Sequence, residues 1–155
     1  MRSRVVVVLW AAAALAVAAD PAGVVQWRAA ELKAKAKQLA PKMDAKKVAG
    51  ITLAKFDNHM AMLTHREASG EAELHESQAD LFVVQSGEAT LALGGEIVGG
   101  KSGGPGEIRG TSIKNGVLKK LGPGDIVHIP AKTPHQVLMD AGKQFDYFIL
   151  KVDAR

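Results

Sequence analysis

The chain has 155 residues, of which 47% are hydrophobic, a formal charge of +4 and no cysteine. That length is enough for one domain around one core, and the missing cysteines exclude disulfides and a lipid-modified cysteine. Aromatic residues make up only 5% and no basic stripe runs between them, so nucleic acid is not an expected partner.

The first element is a targeting segment. Arg2 and Arg4 precede an apolar run from Val5 to Val17, and small residues in an A-x-A cleavage pattern follow. The run is shorter than the ~20 apolar residues that span a bilayer. Residues 1–19 are therefore expected to be a cleaved signal peptide, leaving a periplasmic or secreted protein with no stable membrane anchor. Without Arg2 and Arg4 the charge falls to about +2.

Residues 20–47 form the next unit. The stretch "WRAAELKAKAKQLAPKMDAKKVAG" is rich in Ala, Lys and Leu, and Val25, Leu32 and Leu39 recur every seventh position. That spacing predicts one short amphipathic helix lying against the domain on a narrow apolar seam, closed by Pro41.

From Val48 to the end of the chain, residues 48–155, the pattern becomes that of short strands. "ITLAKF", "HMAMLTH", "DLFVVQSGEATLAL", "GVLKKL", "DIVHIP" and "QFDYFILKV" alternate or run apolar between Ser-Gly, Gly-Gly, Asn-Gly and Pro-Gly turns. Many short strands at close spacing, with no second helical pattern, predict an all-β sandwich or barrel. The glycine-rich stretch from Gly94 to Gly110 lacks the Gly-Lys-Ser/Thr ending of a phosphate cradle. It is expected to be a flexible hairpin excursion, either a connector or a neighbour of the barrel mouth.

Two stretches carry the chemistry. In "GEAELHESQADLFVVQSG", Gly70 to Gly87, Glu73 and His75 are two apart and share a strand face, and Asp80 opens the following strand. In "GDIVHIPAKTPHQV", His135 starts another strand just after Thr133 and Pro134. Two histidines and two carboxylates brought together by strand pairing supply nitrogen and oxygen donors suited to Zn, Mn, Fe, Ni or Cu. His128 is expected to be a structural or interface group, and His59 and His65 to lie at the surface or the pocket edge.

These two stretches resemble the paired motifs of the cupin superfamily. The first family motif is a Gly, a His-x-His pair, a Glu and a closing Gly. Counting back from Gly87, Asp80 falls at the Glu position, His75 at the second His and Glu73 at the first. The second motif runs Gly, five residues, Pro, x, Gly, two residues, His, three residues, Asn, and it fits from Gly124 through Pro130 to His135. Lys132 stands where the family has glycine, and Met139 where it has asparagine. The resemblance covers Val48 to Val152. It implies a double-stranded β-helix (jelly-roll) barrel, often a homodimer, with its site inside the barrel and His75 and His135 as metal ligands. By position Asp80 is a further ligand or a hydrogen-bonding neighbour of one. Glu73 is either a ligand that shifts preference towards Mn, Fe or Zn, or a catalytic acid or base.

The expected function is that of an exported single-domain protein holding a divalent transition metal in its barrel and acting on a small molecule. The resemblance leaves dioxygenase, isomerase and decarboxylase chemistry open. The alternative is a non-enzymatic module binding a sugar or an organic acid without a catalytic metal.

Overall fold

A computed structural model describes residues 20–154. The signal-peptide reading of residues 1–19 lies outside the described residues. Among the described residues no helix is long and apolar enough to cross a membrane.

The first element is a helix, α1 (Ala29–Leu39), ended by a short 3-10 turn, Ala40–Lys42, that contains Pro41. Alanine, leucine, lysine and glutamine favour helix, and Glu31 in the first turn and Lys37 in the last suit the helix dipole. Its buried seam is Leu32, Ala36 and Leu39. Val25 lies before the helix and is exposed, so it is not part of the seam expected from the seven-residue spacing.

Thirteen strands follow: β1 (Val48–Lys55), β2 (His59–Arg66), β3 (Ala72–His75), β4 (Gln78–Gly87), β5 (Ala89–Leu93), β6 (Glu96–Val98), β7 (Lys101–Gly104), β8 (Glu107–Gly110), β9 (Ser112–Lys114), β10 (Val117–Leu121), β11 (Ile126–Ile129), β12 (His135–Leu138) and β13 (Phe145–Asp153). They form a five-stranded sheet in the order β1-β2-β13-β4-β11, a six-stranded sheet in the order β10-β5-β12-β3-β8-β7, and a ribbon of β6 and β9. Neighbouring strands pair antiparallel throughout. The all-β reading holds, and the two sheets make a jelly-roll barrel with one N-terminal helix.

The stretch from Gly94 to Gly110, expected as a flexible hairpin excursion, holds β6 and a hairpin of β7 with β8. Its glycines occupy turns and close approaches between backbones, while Ile108 and Arg109 supply side chains of a paired sheet edge and Ile97 one of the β6-β9 ribbon. Composition concealed strands that main-chain pairing makes.

The main core lies between the sheets and includes Phe82, Val84, Leu91, Leu121, Ile129, Val137, Phe145, Tyr147 and Ile149. A second core lies under α1, where Leu32, Ala36 and Leu39 pack on Ala49 and Leu63, with Trp27 and Phe148 alongside. Strand β2 belongs to both: Met62, Thr64 and Arg66 line the barrel cavity, and Leu63, on the other face, packs under the helix. Gly87, at the end of β4, has φ +76° and faces β13 so closely that a Cβ would collide with the Gln144 carbonyl oxygen. Only glycine fits there.

Leu63 is fully buried, so Leu63→Ala is expected to cost about 2 to 5 kcal/mol. Leu118→Ala, on an exposed position, should change stability by no more than about 0.5 kcal/mol. Urea denaturation of the two variants beside wild type measures both; equal losses would contradict the packing under the helix.

Candidate metal centre and the barrel cavity

Strand register assembles the site. In the pairing of β12 with β3, His135 stands opposite Glu73, and His75 is two residues further along the face of β3 that Glu73 shares. Donor atoms of Glu73, His75 and His135 all lie within 4.8 Å of one another. Asp80, on β4, approaches both rings, with Oδ2 3.4 Å from His75 Nε2 and 3.5 Å from His135 Nε2. His75, Asp80 and His135 are buried, and Glu73 is partly so.

One residue at the centre was not singled out in the sequence. Lys151 stands directly opposite Asp80 in the pairing of β13 with β4. Its Nζ donates to Asp80 Oδ1 at 2.9 Å, to Oδ2 at 3.1 Å and to His75 Nε2 at 2.8 Å. The signal was available: Phe145, Tyr147 and Ile149 alternate into the core, and the same period of two carries Lys151 inward.

The ring orientations follow from their partners. An ammonium has only donors, so His75 Nε2 accepts, and the proton of the neutral ring sits on Nδ1, which faces Glu107 Oε1 at 3.6 Å. His135 Nδ1 donates to the Thr133 carbonyl at 3.0 Å, which leaves its Nε2 lone pair turned towards the cluster. Glu73 is held from behind by Arg109, which donates to Oε1 at 2.9 Å, while Oε2 lies 3.6 Å from His75 Nε2. Arg109 also donates to Glu107 at 2.7 Å. Both partners of Glu73 in this arrangement come from β8 or are steadied by it, in the stretch that composition presented as a connector.

Electrostatics reinforce the geometry. Burial pushes the Asp80 carboxyl up, but the adjoining His135 and His75 rings and the charge and bonds of Lys151 outweigh it and hold the group well below the usual carboxylate range. Arg109 loses to burial and gains more from Glu73, Glu107 and Glu71, so its proton is held more tightly than usual. Burial raises the Tyr147 hydroxyl, and the nearby Arg66 only partly offsets it.

The motif departures have structural counterparts. Lys132 has φ +63°, the left-handed conformation that glycine adopts freely, and its N–H donates to the His75 carbonyl at 2.7 Å. The turn of the second motif thus pins the strand of the first. His59 stacks on Phe56 near the surface, whereas His65, expected at the surface or pocket edge, is buried. It lies on the outer face of β2, where Nδ1 pairs with Asp146 Oδ1 at 2.6 Å. His128 is exposed.

The interior cavity has a volume of about 240 Å³ and is lined by Glu73, Asp80, His135 and Lys151 with Phe82, Tyr147 and Ile149. A wider outer cavity of about 650 Å³ shares Val48, Arg66, Glu71, Glu73 and Arg109 with it.

The donor set fits a divalent transition metal: Glu73, His75 and His135 each offer a donor atom, with Glu73 steadied by Arg109 and His135 by the Thr133 carbonyl, and a three-ligand set would leave a position open. His75 Nε2 is shared with Lys151, so a cation bound there and the ammonium compete for one lone pair.

Two facing antiparallel sheets of this topology form a double-stranded β-helix. Solved structures of that fold are similar to the chain. An uncharacterized conserved protein with a double-stranded β-helix domain from Klebsiella pneumoniae matches with a TM-score of 0.56 at 14% identity, covering 77% of this chain and 88% of that one. The DMSP lyase DddQ from Ruegeria pomeroyi matches at a TM-score of 0.50 and 18% identity over 68% of this chain, which spans only 47% of the lyase. The polyketide cyclase RemF from Streptomyces resistomycificus matches at a TM-score of 0.50 and 17% identity, covering 71% and 68% of the two chains. No family profile and no curated protein matches the chain in sequence.

Asp80→Asn leaves the buried Lys151 ammonium unpaired and should destabilise the fold by about 3 to 5 kcal/mol. Because the folded carboxyl is held below its ordinary 3.8, its contribution is complete above that value and is lost as pH falls through the folded one. Urea titrations from neutral to acid pH should show a steeper acid loss in wild type than in Asp80→Asn. In the same assay Lys132→Gly should gain about 1 kcal/mol by relieving the left-handed backbone.

Proposed function

We propose that this is an exported, single-domain cupin-fold protein that binds a divalent transition metal through Glu73, His75 and His135 and acts on a small molecule in the barrel cavity. The observation that carries the reading is the convergence of those three side chains within 4.8 Å of one another, with Glu73 and His135 lining the interior cavity. Export rests on the pattern of residues 1–19.

The oxygen donor favours Mn, Fe or Zn over softer choices. Bound at this site, such a metal polarises a carbonyl, activates water or binds dioxygen. The protein's own part is to orient and to move protons. Arg109 fixes one oxygen of Glu73 and leaves the other for coordination, so Glu73 acts as ligand and not as mobile base. Asp80 serves as the counter-ion that keeps Lys151 charged in the cavity, and Lys151 Nζ holds a proton beside the cluster, ready for a reacting group. Phe82, Tyr147 and Ile149 form the apolar wall that excludes water.

An enzymatic role is supported by the position that a three-ligand set would leave open on a bound metal and by two similar structures that are a lyase and a cyclase by name. Their chemistries differ, so no reaction class transfers to this chain.

Purified full-length protein should retain close to one equivalent of transition metal after supplementation at neutral pH, and His75→Ala or His135→Ala should bring it below about a tenth of an equivalent. Elemental analysis measures this, and a wild type as empty as the variants would end the metal reading. Removing the competing ammonium by Lys151→Met should tighten metal binding at least about tenfold, since a hydrogen bond to a charged group is worth that much. Glu73→Gln should lose metal along with turnover; intact metal content with lost turnover would make Glu73 the proton carrier instead.

A further inference from the structure

We propose that Arg66 is the anchor for a carboxylate on the molecule this barrel takes, which makes the substrate a small organic monoanion. The inference deepens the reading of the cavity as a small-molecule site and does not depend on the metal.

Arg66 ends β2 and lines both the interior and the outer cavity, at the place where they join. It is only 8% exposed. Other buried or half-buried cations at the site have carboxylate partners: Lys151 has Asp80, and Arg109 has Glu73, Glu107 and Glu71. Among the described residues no carboxylate lies within 4.0 Å of the Arg66 guanidinium. Its bonds go to neutral groups, from Nη2 to the Tyr147 hydroxyl at 3.1 Å and from Nη1 to the Ala68 carbonyl at 3.4 Å, and its Nε is buried with no partner.

A guanidinium does not deprotonate in a protein, so it cannot escape burial by neutralising itself. A buried charge without a counter-ion is costly, and a water on Nε satisfies the hydrogen bond but not the charge. The missing partner is therefore an anion that arrives with the ligand.

The group is already positioned to receive one. It lies against Gly70 so closely that a Cβ there would stand 2.5 Å from Nη1, and its carbon is 5.8 Å from the centre of the Tyr147 ring. The Nε–H and a neighbouring N–H form the fork on which guanidinium takes a carboxylate through two parallel bonds. A phosphate dianion suits the site less well, because the lining carboxylates Glu71, Glu73 and Asp80 already pair with Lys46, Arg109 and Lys151, which leaves Arg66 alone to balance one negative charge.

The test follows the arginine Nε–Hε resonances of full-length, isotopically labelled protein by NMR, with the Arg66 signal identified by its loss in Arg66→Lys. Acetate is the probe, with acetamide as its uncharged isostere and chloride at matched ionic strength as the control. Acetate should shift the Arg66 signal saturably, and acetamide and chloride should not. Calorimetry should show acetate binding at least about tenfold weaker to Arg66→Gln, and severalfold weaker to Arg66→Lys, which keeps the charge but loses the fork. A backbone spectrum confirms that each variant is folded, and Arg66→Lys serves if Arg66→Gln is not. No saturable shift, an equal shift with acetamide, or undiminished binding to both variants would overturn the proposal. Metal content measured on the same samples separates the two readings: an Arg66 shift in metal-free His75→Ala upholds the anion site whatever becomes of the metal, and retained metal without a shift removes only the anion site.

Discussion

A lysine ammonium and an aspartate face each other across neighbouring strands inside an apolar barrel, and the polar interior is arranged around that pair. Taking either charge out of water alone is prohibitive, so each is the condition for the other. Once paired they dictate what surrounds them. The ammonium turns His75 Nε2 into an acceptor, His135 approaches the same carboxylate, and Glu73 must find a cation of its own, which β8 supplies as Arg109. The chemistry of the site is thus a solution to charge burial as much as to ligand geometry.

That solution explains which parts were legible in the sequence. His75 and His135 stood at motif spacings, and Asp80 could be counted back from Gly87, a position where the close pass of β13 admits only glycine. The strand alternation was legible too, and it placed Lys151 inside, but a lysine near the end of an apolar strand reads more readily as a solvated tip. Arg109 was hidden by its glycine-rich setting, because pairing through the main chain leaves little trace in side-chain pattern. Arg66 gave no periodic signal at all. Strand β2 is buried on both faces, with Leu63 and His65 on one side and Met62 and Thr64 on the other, so the contrast between polar and apolar positions that marks a half-buried strand is missing. Lys132 shows the converse case: the residue departs from the family glycine, but the backbone conformation and its bond to the His75 carbonyl persist.

The helix matters to the site through this same strand. By covering the outer face of β2 it converts one wall of the barrel into an interior layer, so that Arg66 is carried on a strand braced from behind by Leu32, Ala36 and Leu39. An unpaired charge is held in place more firmly by such a wall than by one open to solvent, where the strand could twist to let the guanidinium reach water.

The centre also joins parts of the chain that are far apart in sequence. Its bonds link residues separated by 36 positions between Glu73 and Arg109, 71 between Asp80 and Lys151, and 76 between His75 and Lys151. Closing loops of that length costs entropy before any contact returns it, so nucleation belongs to nearer pairings such as β1 with β2 and β7 with β8. The charged centre then forms late, when both sheets meet, and substitutions in it act on how long the native state lasts more than on how fast it is reached. On this folding route the donor atoms of Glu73, His75 and His135 stay dispersed until the two sheets have met, so the site exists only in the finished barrel.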